Sequence, residues 1–271
     1  MAIKKVLVTG VYGLIGGEVY LSLLGQPDKY EPYGLSRRRY PSDRSSISRN
    51  LDIPDERFFL SDMSDLGTMV QTMQDIDIVV HLAADPRQDA PWDSILRSNI
   101  IGTKNVYEAA VICGVERVIY ASSVMVSWGY FDDEPYKSIF EGRYDAITPG
   151  DIPIVHHTWP TRPTADYPAS KVWGEGMGWY YAHRRGLSVI CLRIGWVNDE
   201  DYPHTHGWAQ AGWCSKRDIV QLVEKSIEAP DDLRFDIFYG VSDNKWNWVD
   251  IQHGREVIGY DPQDKGEELV K

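Results

Sequence analysis

Cysteine is scarce in this chain: Cys113, Cys191 and Cys214 are the only three among 271 residues. They lie far apart and show neither a zinc nor a redox spacing, so no metal site and no disulfide is expected. Cys191 falls inside an apolar run and reads as core. Basic side chains are also in deficit, 28 against 40 acidic, for a formal net charge of −12. Nucleic acid is gripped by clustered positive charge, so no nucleic-acid partner is expected, and the charge reads as general solubility. No apolar run approaches the ~20 residues of a membrane span, which argues against a membrane partner. The first strand-like run begins a few residues after Met1, leaving no place for a signal peptide, and the expected location is cytoplasmic.

What is present fits a soluble globular protein: 43% hydrophobic and 25% charged residues, enough to bury one core with at most a small appended lobe. Ten tryptophans are many for this length, and most follow Trp128; they could line a pocket or fill a core.

The most informative stretch is Thr9-Gly10-Val11-Tyr12-Gly13-Leu14-Ile15-Gly16, set between the apolar run Val6-Leu7-Val8 and a helical pattern over 18–24. Strand, glycine turn and helix in that order make a dinucleotide-binding βα unit. Gly10 permits the turn, Gly13 lets the backbone approach a pyrophosphate, and Gly16 lets the helix lie close to the strand. A second strand, Glu31 to Ser36, ends without the acidic residue that grips ribose hydroxyls and is followed by Arg37-Arg38-Arg39. A hydroxyl and positive charge suit a 2′-phosphate, so NADP is expected over NAD.

Downstream, Arg57–Leu60 resumes as a strand ending at Ser61-Asp62-Met63, where Asp62 could accept from an adenine amino group or serve the start of the next helix, for which Ser64 or Asp65 is also a signal. Asp77 to Ala84 reads as a buried strand ending in small residues, with His81 as a satisfied core histidine. A helix over about 93–113 carries Asn99, poorly placed by propensity and so a candidate for a buried polar duty. Arg117–Ser123 ends in two hydroxyls at the place where ligands meet such sheets. The segment from Trp128 to Pro163 reads as a long irregular insertion, functional or disordered. Its His156-His157 pair is expected to point apart and share no metal. Tyr167 and Lys171 then fall four apart on one helix face. An ammonium beside a phenol is expected to lower its pKa from ~10, making a proton donor and acceptor for carbonyl–alcohol interconversion. A further buried strand, 187–194, a polar loop with His204 and His206, a helix after Ser215, a strand at 235–239 and a tail helix complete the chain. No repeat or linker is visible. One domain, 1–271, is expected, with a nucleotide-binding core over about 1–190 and a substrate lobe from about 128–165 and 195–271.

This set resembles the extended short-chain dehydrogenase/reductase family, also called the NAD-dependent epimerase/dehydratase family, over nearly the whole chain. The shared features are the Thr9–Gly16 turn, Asp62, His81-Leu82-Ala83-Ala84, Asn99 in Ser98–Thr103, Ser122-Ser123, Tyr167 with Lys171, and Gly259-Tyr260-Asp261-Pro262. Leu192–Gly195 and Tyr239–Asn244 are most similar to the uronate and aldose dehydrogenase branch. The resemblance implies a Rossmann-type α/β doubly wound parallel sheet with a small C-terminal substrate-binding lobe, a small-molecule substrate, and a homodimer. It implies catalysis by Ser123, Tyr167, Lys171 and Asn99. Cofactor contacts are implied from Gly10, Tyr12, Gly13, Leu14, Ile15, Gly16, Ser36, Arg37, Arg38, Asp62, Met63, Leu82, Ala83, Ala84 and Ile194, besides Asn99, Tyr167 and Lys171. Substrate contacts are implied from Ser123, Val124, Met125, Tyr167, Trp196, His204 and His206. The chain departs from uronate dehydrogenases in having no arginine between Trp196 and Ser215, so a neutral sugar or other small carbonyl compound is the better expectation. The leading expectation is an NADP-preferring oxidoreductase that interconverts a hydroxyl and a carbonyl on a sugar or similar small polyhydroxylated substrate. An epimerase or dehydratase that retains its cofactor and a non-catalytic NADP-sensing protein are the alternatives.

Overall fold

Runs such as Val6-Leu7-Val8 and Ile78-Val79-Val80 are apolar at consecutive positions, the pattern of strands covered on both faces. In the computed structural model they lie in a seven-stranded parallel sheet ordered β3-β2-β1-β4-β5-β6-β7. The structure describes residues 2–45, 51–203, 205 and 207–269. In chain order the main elements are β1 (Lys4–Thr9), α1 (Leu14–Leu24), β2 (Tyr30–Ser36), β3 (Phe58–Leu60), α2 (Leu66–Thr72) and β4 (Ile78–His81). Next come α3 (Trp92–Ser94), a stretch of wider π-type turns over Ile95–Ile101, α4 (Gly102–Cys113), β5 (Arg117–Ser123), α5 (Tyr136–Phe140) and α6 (Asp166–Arg185). The chain ends with β6 (Ser188–Ile194), α7 (Trp208–Ala211), α8 (Lys216–Ile227), β7 (Phe235–Gly240) and α9 (Gln252–Ile258), before a last turn.

Alternate residues of each strand feed opposite cores. Val6, Val8 and Val80 pack with Val19 and Leu23 of α1 and with Ile219 and Leu222 of α8. Leu7, Val79 and Val118 pack on the other side with Met69 of α2, Val106 of α4 and Tyr181 of α6. This is the expected Rossmann-type doubly wound arrangement. Its strand order reverses between β1 and β4, which opens a crevice at their carboxyl ends.

Several local expectations are refined by the structure. The fourth strand stops at His81, because the Ala83 N–H is taken by the Thr9 side chain (3.2 Å) and the chain turns onto the crevice rim. Of the start signals before α2, Asp65 is the cap, accepting from the Thr68 N–H at 2.6 Å. The 128–163 insertion is neither loose nor peripheral. Its aromatics form a third core with the C-terminal segment: Phe131 meets Trp248 at 4.5 Å between ring centres, and Tyr144 stacks on Trp246 at 4.3 Å. The tryptophans therefore divide, some filling this core and Trp128, Trp196 and Trp208 facing the crevice. His156 and His157 lie in a turn, not a strand or helix, so both approach Asp250, at 2.9 and 3.9 Å.

His81 is a core residue as expected. Its ring nitrogens pair with the hydroxyls of Thr9 (2.9 Å) and Thr103 (3.1 Å), and burial drives its pKa down to about 3.

Candidate active site

A cavity of about 930 Å³ follows the carboxyl ends of β1, β2, β4, β5 and β6. Its floor is the glycine turn. Gly10 holds φ of +71°, and a Cβ there would lie 2.9 Å from the Ala83 Cα. At Gly16 a Cβ would come within 2.2 Å of the Gly10 carbonyl oxygen, so only glycine lets α1 start this close to β1. Gly13 caps α1 with no side chain, and the first turn carries no acidic residue. The N–H groups at Leu14 and Ile15 thus have no intrahelical partner. Backbone donors over a surface that side chains would fill suit a pyrophosphate. A dinucleotide fits.

At one end of the cavity stand Ser36, Arg37 and Arg38. Arg39 turns away, bonding the Asp55 carboxylate and the Ile53 carbonyl, so the arginine triplet splits into two residues on the cavity and one in the scaffold. Asp62 and Met63 line the same end. The Asp62 carboxylate accepts from the Ser64 N–H (2.9 Å) and pairs with Arg97 (2.9 Å). Burial pushes its pKa up, but Ser64 and the Arg97 charge outweigh this and hold it below the usual range.

The other end gathers Ser123, Tyr167 and Lys171 from three separate stretches of chain. Ser123 closes β5 and its hydroxyl accepts from the Met125 N–H at 3.2 Å. Tyr167 and Lys171 come from the first turns of α6, where the ring lies 5.7 Å from the Lys171 ammonium. The nearby Ser123 hydroxyl favours the Tyr167 phenolate, yet the phenol pKa is raised. Burial dominates, and the lowering by Ser123 and by the Arg44 charge does not overcome it. The expected depression by Lys171 is therefore absent, because the Lys171 Nζ is turned to the Ala121 carbonyl (2.8 Å). Burial in turn pushes Lys171 down to about 7.

That shift makes a stability prediction. Between the folded value of about 7 and the ordinary 10.5, the unfolded chain binds a proton that the folded chain does not, so stability rises with pH across that window. Below about 7 the cost of a buried ammonium is at its full value. Lys171→Met is expected to raise the thermal midpoint of the protein melted without added cofactor by at least ~3 °C near neutral pH, the gain fading as pH climbs toward 10. Melting curves for both proteins across that range check it. A pH-independent gain, or a loss, counts against a costly Lys171.

Leu82, Ala83, Ala84, Val124, Met125, Ile194 and Trp196 also line the cavity, and Tyr12 flanks the glycine turn. Asn99 does not reach the cavity wall. Its amide exchanges hydrogen bonds with the Asp85 backbone (2.8 and 3.1 Å) and reaches Ser170 (3.1 Å), tying the loop after β4 to α6. His204 and His206 lie outside the described residues.

Sequence reasoning missed what stands behind the site. The Glu175 carboxylate is held by both Nε and Nη2 of Arg193 (2.9 Å each) and accepts from Ser122 at 2.6 Å; Arg193 also donates to Tyr239 (2.9 Å). The signal was available. Residues 167, 171 and 175 repeat at four on α6, and Arg193 is the one charge in an apolar strand.

Residues 6–197 match the model of the NAD dependent epimerase/dehydratase family. An NAD-dependent glucose-6-phosphate dehydrogenase from Haloferax volcanii is 35% identical over 98% of this chain and 96% of its own. An L-arabinose 1-dehydrogenase (NAD(P)(+)) from the same organism is 34% identical over 78% of this chain and 83% of its own. A structure of uronate dehydrogenase from Agrobacterium tumefaciens complexed with NAD superposes with a TM-score of 0.77, at 26% identity, over 98% of this chain and 87% of that one. With the glycine cradle and the Ser123, Tyr167 and Lys171 centre in one crevice, these likenesses establish that the chain belongs to the NAD-dependent epimerase/dehydratase family, on its uronate and aldose dehydrogenase branch.

Proposed function

We propose that the protein oxidises the hydroxyl at carbon 1 of an aldose, using a nicotinamide dinucleotide with NADP preferred to NAD. The observation that carries this reading is the meeting of Ser123, Tyr167 and Lys171 at one end of a cavity whose floor is the glycine turn. When bound, the cofactor supplies the hydride acceptor. The Gly10–Gly16 turn and the start of α1 would hold its pyrophosphate, Asp62 and Met63 its adenine, and Lys171 and Ile194 its nicotinamide end. Ser123 would hold the substrate oxygen, and Tyr167 would take the hydroxyl proton in oxidation and return it in reduction. Fixing donor and acceptor together supplies much of the rate through proximity and electrostatics. Trp128, Trp196 and Trp208 wall the substrate end, with Trp128 and Trp208 at 5.5 Å and Trp196 and Trp208 at 5.3 Å between ring centres. Aromatic faces of this kind suit the apolar face of a sugar ring.

The test is nicotinamide reduction with an aldose panel, alongside equilibrium titration with NADPH and NADH. Turnover on an aldose supports the reading. Cofactor that stays bound through purification, with no net redox on any sugar, would replace it with an epimerase that recycles its cofactor.

The NADP preference rests on Ser36, Arg37 and Arg38, and the relatives' names divide between NAD and NAD(P). Replacing Arg37 and Arg38 together by alanine is expected to weaken NADPH binding ~10- to 100-fold, the worth of charge-assisted contacts to a phosphate. NADH affinity is expected to change far less. Equal losses for both cofactors, or tighter NADH binding by the unaltered protein, would show that these arginines do not read the 2′-phosphate.

A further inference from the structure

The chain carries 40 acidic against 28 basic side chains, a ratio that the cavity reverses. Its walls hold five basic residues (Arg37, Arg38, Arg44, Arg87 and Lys171) and three acidic ones (Asp43, Asp62 and Asp85). Arg37 and Arg38 stand beside Ser36, and Lys171 belongs to the catalytic centre. Arg44 and Arg87 remain without a role. Arg87 lies at the catalytic end, because its partner Asp85 is tied through Asn99 to Ser170, whose hydroxyl donates to the Tyr167 carbonyl. Arg44 lines the same cavity, and its charge is felt at the Tyr167 phenol.

Arg87 is oriented with unusual care for a side chain that is 59% exposed. Its Nε and Nη2 donate to the two oxygens of Asp85, at 3.0 and 2.7 Å. Asp85 is itself buried, accepts from Ser94 at 2.6 Å, and has its backbone clamped by Asn99. A guanidinium has five N–H donors, so the edge turned from Asp85 keeps donors for a ligand. A rigidly aimed fork at the mouth of a site is the usual means of binding an oxyanion by direct hydrogen bonds. Asp85 neutralises much of the Arg87 charge, and Arg44 on the exposed turn after β2 supplies a second cation.

We infer that the substrate is a sugar bearing a terminal phosphate, which Arg87, aimed by Asp85 and joined by Arg44, binds at the catalytic end while carbon 1 meets Ser123 and Tyr167. The inference rests on the aldose-oxidation reading above and names its substrate class. A phosphate fits better than a carboxylate for two reasons. Its three oxygens and double charge can use two arginines from different loops, whereas a planar carboxylate is matched by one fork. The loop after β6, where a uronate carboxylate would be met, has no arginine between Trp196 and Ser215. The neutral sugar or other small carbonyl compound expected from that missing arginine is replaced here by an anionic sugar, bound by residues of other loops. The full-length likeness to a protein named for glucose 6-phosphate agrees with this choice.

The experiment compares glucose, glucose 6-phosphate and glucuronate as substrates for the unaltered protein and for Arg87→Gln, Arg87→Lys and Arg44→Gln. Expected is a kcat/KM for glucose 6-phosphate at least a hundredfold above that for glucose. Arg87→Gln should cut that ratio at least tenfold, mainly through KM, and Arg87→Lys should restore only part of it. Arg44→Gln, on an exposed turn, should move the ratio the same way without disturbing Asp85. Equal kcat/KM for glucose and its phosphate, glucuronate preferred to both, or a ratio unmoved by either arginine would overturn the inference. If no aldose is oxidised, the dehydrogenase reading fails, and calorimetric binding of glucose 6-phosphate against glucose to the NADPH-loaded protein decides the phosphate site. Preferential binding of the ester that Arg87→Gln abolishes upholds it, and no preference overturns it.

Discussion

Replacing Tyr167 by phenylalanine is expected to lower kcat by about 10³-fold, within the 10²- to 10⁴-fold range of general acid–base catalysis. The change removes one oxygen from a buried ring, so the helix start and the packing on Ala90 and Ile95 should survive. Ser123 keeps its bond from the Met125 N–H. Cofactor affinity should therefore stay within about threefold, because the lost group acts on the reacting proton more than on ground-state binding. The pH profile gives a second readout. Burial holds the phenol above its ordinary value, so the proton acceptor needed for oxidation becomes available only as pH rises. Oxidation by the unaltered protein should climb into the alkaline range and reduction should fall there. Tyr167→Phe should lose that dependence. Steady-state rates in both directions, with a separate cofactor titration, check the prediction. Native turnover, or a loss of cofactor binding as large as the loss of rate, would remove Tyr167 from its role.

The two ends of this cavity were legible in the sequence to different degrees, for physical reasons. The glycine turn is a local device: Gly10 needs its positive φ and Gly16 its close approach, and both requirements are written within seven residues. Tyr167 and Lys171 were legible because helical spacing is regular, and Ser123 because strand ends meet ligands. The phenol pKa was not legible. It depends on how far the ring is buried and on Lys171 turning to Ala121, neither of which spacing encodes. The insertion was only partly legible for a similar reason. Its prolines and mixed pattern say irregular, but Phe131 and Tyr144 find partners more than a hundred residues away in Trp248 and Trp246. Asn99 was noticed as a polar residue out of place in a helix. Its partners, Asp85 and Ser170, are the contacts that show it to be a brace in this fold.

Breaking the ion pair behind the site should cost more stability than any other single change considered. Arg193→Met is expected to destabilise the fold by about 3–5 kcal/mol, the usual result of stranding one member of a buried pair. Glu175 would be left 5% exposed with Ser122 as its remaining hydrogen-bond donor. At ~2–4 °C per kcal/mol for a large domain, the thermal midpoint should drop by about 6–20 °C. The sign of the pH dependence tests the cause. A stranded buried carboxyl has its folded pKa raised, so its contribution is retained at low pH and lost as pH rises through that value. The deficit relative to the unaltered protein should therefore shrink on acidification. Adding Glu175→Leu should recover most of the loss, since a well-packed apolar pair of similar volume is often as stable as the buried ions it replaces. Recovery in the double variant would show that the single variant fails through an uncompensated charge. A double variant as unstable as the single would instead assign the loss to the missing bonds from Arg193 to Tyr239 and the His157 carbonyl, which link β6 to β7 and to the insertion.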